Sequence, residues 1–156
     1  MRILGLTVVI LCLFAMSPWR LASAADGFRA DYVGGTLSTL STKTDGNLKT
    51  SNEEYLEFHA KKSEVKVVYT KINLLEYGQK VDRRYAMAFL LSPVFLLSKS
   101  RQHFLTIGYT DEVGRQQAMV FQVSKGGVRS ILVSLEARTG LKVQFQDGEA
   151  RKAGKG

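Results

Sequence analysis

The feature that most constrains this chain is a change of hydrophobic period near residue 124. Before it, apolar residues alternate with polar ones. Leu56, Phe58 and Ala60 share one face while Glu57 and His59 take the other. Val65, Val67 and Tyr69 repeat the pattern, as do Leu105 and Ile107, and then Met119, Phe121 and Val123. A period of two is the mark of a strand with one buried face. After the switch, Val128, Ile131, Leu132 and Leu135 fall at i, i+3, i+4 and i+7, the apolar stripe of a helix. The chain therefore reads as several antiparallel strands followed by one late amphipathic helix.

Turn chemistry sets the boundaries between these runs. Tyr32 to Leu37 reads as a first strand, with Gly34 and Gly35 allowing a bend or bulge. Thr44-Asp45-Gly46-Asn47 reads as a turn and Leu48-Lys49-Thr50 as a short strand after it. Lys61 to Glu64 is the next turn, and a bend near Thr70-Lys71 precedes a strand over Ile72 to Tyr77. Asp111-Glu112-Val113-Gly114 makes a hairpin, answered by Gln117 to Val123. For the helix, spanning about 126–139, Ser124 is the expected cap, Arg138 sits in the last turn and Gly140 is the expected terminator. Leu141 to Phe145 offers a last short strand. Residues 146–156 hold no apolar side chain larger than alanine, which predicts a disordered basic tail.

The N-terminus carries an export signal. Arg2 is followed by the apolar run Ile3 to Ala15, then Pro18, then the small residues Ala22-Ser23-Ala24 that a signal peptidase requires. The run is shorter than the roughly 20 residues a membrane-spanning helix needs, which favours a cleaved signal, with a retained anchor as the alternative. Residues 1–24 are thus expected to be a signal peptide, 25–30 a linker and 31–145 a single domain, placed in the periplasm or outside the cell after cleavage near Ala24. The lone cysteine, Cys12, lies inside the signal, so the exported part has no thiol for disulfides, metal binding or nucleophilic catalysis. Roughly 130 residues suffice for one core held by packing alone. No Asn-x-Ser/Thr acceptor occurs, which favours a bacterial envelope. The net charge is +8, and removal of Arg2 and Arg20 leaves 20 basic and 14 acidic residues, suiting acidic partners. Export makes nucleic acid the poorest fit among these.

The segments VVYTKINLLEYG at 67–78, HFLTIGYTDEVG at 103–114, QAMVFQVSK at 117–125 and VRSILVSLEARTG at 128–140 cover most of the exported part. In pattern and order they resemble the pleckstrin-homology-like superfamily, with its bacterial and GRAM-type branches, as in uncharacterised exported bacterial proteins. The resemblance implies a mainly β fold, a small antiparallel barrel or sandwich of about seven strands closed by one C-terminal helix. It also implies binding with no particular ligand named.

The chemistry-bearing residues agree with a non-catalytic module. His59 and His103 are the only histidines, and no HExxH or dense carboxylate cluster completes a metal site, so neither metal nor cofactor is expected. No Gly-x-Ser-x-Gly elbow presents a nucleophile, and Lys125-Gly126-Gly127 lacks the spacing of a phosphate loop and reads as a turn. The sharpest feature is the uncharged stretch Tyr85 to Ser98, bracketed by Arg83 and Arg84 on one side and Lys99 and Arg101 on the other. As a hairpin with its tip at Ser92-Pro93 it would set four cations at its base, where Arg forks suit phosphate; Lys61 and Lys62 would extend the patch. As core filling it would do neither. The leading expectation is a protein or peptide partner taken up by strand addition. An anionic membrane surface, held by those six cations, is the alternative.

Overall fold

The computed structural model describes residues 27–79 and 102–155. Eight strands run β1 (Phe28–Gly35), β2 (Thr44–Lys49), β3 (Tyr55–Ala60), β4 (Glu64–Val68), β5 (Ile72–Gly78), β6 (His103–Thr110), β7 (Gln116–Val123) and β8 (Gln144–Phe145). A 3-10 turn, Tyr69–Lys71, joins β4 to β5, and two helices follow β7: α1 (Val128–Thr139) and α2 (Gly148–Lys155). The strands form one sheet in the order β4-β3-β2-β1-β7-β6-β5-β8. All ladders are antiparallel except the short β5–β8 pairing. The fold is mainly β, as the alternation predicts.

The expected closed barrel of about seven strands is corrected to an open sheet of eight. Although only one turn separates β4 from β5, β5 pairs with β6 and β8, and β4 pairs with β3 alone among the described residues. The turn between β4 and β5 is anchored by Tyr69, which is buried. What holds the two wings together is a shared core. Leu48, Leu56, Phe58 and Val67 from one wing join Leu75, Tyr77, Leu105, Ile107 and Phe121 from the other, with Val128, Ile131, Leu132 and Leu135 of α1 in the same cluster. Full burial of each such side chain contributes about 1.5–3 kcal/mol.

Four further expectations change. Asp45-Gly46-Asn47 lies inside β2, Asp45 paired with β1 and Gly46 and Asn47 with both neighbouring strands, and the expected linker residues Phe28 to Ala30 already belong to β1. Ser124 does not cap α1: its hydroxyl donates to the Gly126 carbonyl, and Gly127 occupies the cap position. Gly140 does end the helix, at φ 72°. The expected disordered tail is instead α2. Asp147 accepts from the Ala150 amide at 2.6 Å, capping the helix start. Ala150 is fully buried, and Gly154 sits so close to Phe145 and Leu132 that a Cβ would lie 2.4 Å from the Phe145 ring. Small residues, not large apolar ones, seat this helix.

In the centre of the sheet both faces are buried. Leu105, Ile107, Met119 and Phe121 face the helices, whereas Val33, Phe104, Thr106, Ala118 and Val120 are equally buried but stand outside that core cluster. The apolar stretch 85–98, whose role as core or hairpin the sequence leaves open, lies outside the described residues.

Candidate functional site

The wing made of β2, β3 and β4 presents a polar outer face, and cross-strand register decides which side chains meet there. Arg29 lies opposite Asn47, Asn47 opposite His59, and His59 opposite Glu64, forming one row across four strands. Lys49, Glu57 and Lys66 form the next. His59 Nε2 stands 3.0 Å from Glu57 Oε2 and 3.5 Å from Glu64 Oε1. Lys66 Nζ is 3.2 Å from Glu64 and 3.6 Å from Glu57. The hydrogen bond shared with His59 is the largest influence on Glu57 and holds its carboxyl below the usual range, against a smaller opposing effect of burial and with help from Lys66. Hydrogen bonding and charge from Glu64 raise Lys66.

Glu57, His59 and Glu64 bring one ligand atom each to within 4.8 Å of one another. That is the donor set of a divalent-cation site. Here the Lys66 ammonium already lies against both carboxylates, so the geometry is that of an ion-pair network. Beside it runs an open groove of about 470 Å³ lined by Arg29, Asp45, Asn47, His59 and Lys61, with Gly46 and Ala60 between them. Its lining carries both signs of charge.

The most consequential feature is the backbone of β4. The Ala60 amide donates to the Ser63 carbonyl at 2.9 Å, and the Tyr69 amide to the Glu54 carbonyl at 3.0 Å. With Phe58 opposite Val65 and Leu56 opposite Val67, the hydrogen-bonded pairs of the hairpin alternate from these two fixed ends. Val65 and Val67 therefore spend their amides and carbonyls on β3. Those of Glu64, Lys66 and Val68 point away from the sheet. Among the described residues β4 has no strand on that side.

Of the cations singled out in the sequence, Lys61 and Lys62 are exposed in the β3–β4 turn, and Lys61 lines the groove. Arg83, Arg84, Lys99 and Arg101 lie outside the described residues. His59 faces outward as expected. His103 is buried, its Nδ1 2.8 Å from the Tyr77 hydroxyl and its ring stacked on Tyr77. Burial, aided by the charge of Asp147, pushes the Tyr77 phenol up to about 12, so the hydroxyl keeps its proton. Tyr77→Phe removes one hydrogen-bonding partner of a buried nitrogen and is expected to cost about 1–2 kcal/mol in chemical denaturation. No measurable loss would remove this contact from the list of what holds β5 to β6.

Among the described residues no helix is long and apolar enough to cross a membrane. No protein-family model matches the chain, and no curated protein matches it in sequence.

Proposed function

We propose that this protein is a non-catalytic binding module of an exported bacterial protein, and that it takes up an extended peptide segment by adding it to β4. One observation carries the reading: an edge strand with the peptide groups of Glu64, Lys66 and Val68 turned outward, next to a polar groove. An added strand would draw affinity from those main-chain groups and specificity from alternate side-chain positions. Side chains on its inner face would lie along Val65 and Val67, and those on its outer face along Glu64 and Lys66. The segment recognised is therefore extended, with apolar residues alternating with charged ones. The resemblance to pleckstrin-homology-like domains supports binding over catalysis in the same direction.

The register supplies a specific test. Proline at position 66 removes an amide that β3 does not use, so the hairpin ladder survives while an incoming strand loses its central donor. Peptides selected from a random displayed library on the wild-type protein should bind Lys66→Pro at least about tenfold more weakly, and bind Lys66→Ala far less altered. Thermal unfolding checks that both variants fold. Selected peptides that bind Lys66→Pro as well as the wild type would overturn the assignment of β4 as the binding edge.

A further inference from the structure

Strands at sheet edges are usually protected by a central charge, and Lys66 stands where such a guard would be. In β4, however, that charge comes paired with its opposite two residues earlier. Glu64 and Lys66 are on the same outer face, and both have outward-pointing backbone groups. A sequence with acid and base at i and i+2 is complementary to its own reverse. We propose that β4 pairs antiparallel with β4 of a second copy, joining two sheets into one across a two-fold axis at Val65. The proposal rests on β4 being the binding edge and names the segment it takes.

Register selects this arrangement over its neighbours. With the axis at Val65, Glu64 faces Lys66 of the partner subunit and Lys66 faces Glu64 of the partner subunit. Both pairs fall at hydrogen-bonded positions, because the backbone groups of these residues are the ones β3 leaves unused. Shifting the axis by one residue in either direction sets Glu64 against itself or Lys66 against itself. Like charges directly opposite are unfavourable, whereas opposite charges stabilise. The Glu64 and Lys66 side chains are 45% and 51% exposed, so each can exchange its partner within the monomer for one across the interface. On the other face Val65, half-buried against the core, meets its own copy and loses its remaining contact with water. A two-fold contact of this kind is closed, so it makes a dimer and not a fibre.

Sedimentation of the purified protein over a concentration series tests this with charge-swap variants. The wild type should dimerise. Glu64→Lys alone, or Lys66→Glu alone, creates two like-charge pairs and should raise the dimer dissociation constant by at least about tenfold. An equimolar mixture of the two single variants restores both opposite-charge pairs and should form a heterodimer, and the double variant Glu64→Lys/Lys66→Glu should dimerise with itself. A wild type that stays monomeric throughout, or a dimer that neither single variant weakens, would overturn the proposal. Failure here is distinguishable from failure of the edge assignment. If the wild type is monomeric but selected peptides still lose binding to Lys66→Pro, the edge stands and its partner is another protein. If Lys66→Pro affects neither, β4 is not a binding edge at all.

Discussion

Replacing Phe121 by alanine is expected to destabilise the protein by about 3–5 kcal/mol, a large share of the roughly 5–15 kcal/mol that holds a domain of this size. Phe121 occupies the middle of β7, opposite Tyr32 on β1 and Leu105 on β6, and is fully buried. Its ring meets Tyr32 edge-on with centroids 5.9 Å apart, and Phe58 at 4.9 Å. Phe58 belongs to the β2–β4 wing, so Phe121 joins the half of the sheet that ends in β4 to the half that packs on the helices. Alanine removes the transfer energy of the ring and leaves a cavity that paired strands on both sides cannot close. Urea unfolding should show the loss, with a fall in melting temperature on the order of 10–20 °C. Phe121→Leu, nearer in volume, should lose much less. In a double-mutant cycle with Phe58→Ala the two rings should show a coupling of about 0.5–1.5 kcal/mol. A loss below about 1 kcal/mol for Phe121→Ala would place the centre of the core elsewhere.

Much of this core was readable because period-two alternation assigns faces without knowledge of partners. Phe58, Ile107, Met119 and Phe121 all point where the pattern predicts, and the i, i+3, i+4, i+7 stripe of α1 is the buried one. Closure was not readable. A strand with one buried face looks alike in a barrel and in an open sheet, and what separates them is whether β4 finds β5. The tail misled for a different reason. A scan for large apolar residues passes over Ala150 and Gly154, yet their lack of bulk is what lets α2 approach Phe145 and Leu132. Asp147, a good helix cap, was the signal available.

The candidate site was less legible still. Glu57 and His59 share a face of β3, but Glu64 joins them only through the β3–β4 register. Lys66 reads as an ordinary solvent-face charge until topology shows that its strand ends the sheet. His103 shares its face with Leu105 and Ile107, so strict alternation points it inward, and the structure buries it there against Tyr77.

Gly46 offers the sharpest contrast between local and long-range determinants. As part of Asp-Gly-Asn it has the chemistry of a turn, where the only demand on glycine is backbone freedom and alanine costs about 1 kcal/mol or less. In β2 the demand is space. A Cβ at Gly46 would lie 2.4 Å from the His59 carbonyl oxygen and 2.7 Å from the Phe58 ring. The carbonyl cannot retreat without disturbing the ladder that pairs Gly46 with Ala60 and Leu48 with Phe58, and the ring is fixed by its contact with Phe121. Gly46→Ala should therefore cost about 2–3 kcal/mol, in the range of overpacked cores. Gly126→Ala is the control, since no atom lies within 4 Å of a Cβ there, and it should be nearly neutral. Thermal unfolding of the two variants gives the comparison, and amide exchange should show faster opening of β3 in Gly46→Ala, where the ladder has to yield. If Gly46→Ala proves as harmless as Gly126→Ala, the close approach of β2 to Phe58 is wrong and residues 44–47 regain their reading as a turn. If the loss appears with β3 opening, strand pairing has overruled a strong local turn signal, and the wing that presents β4 depends on a glycine chosen for its missing side chain.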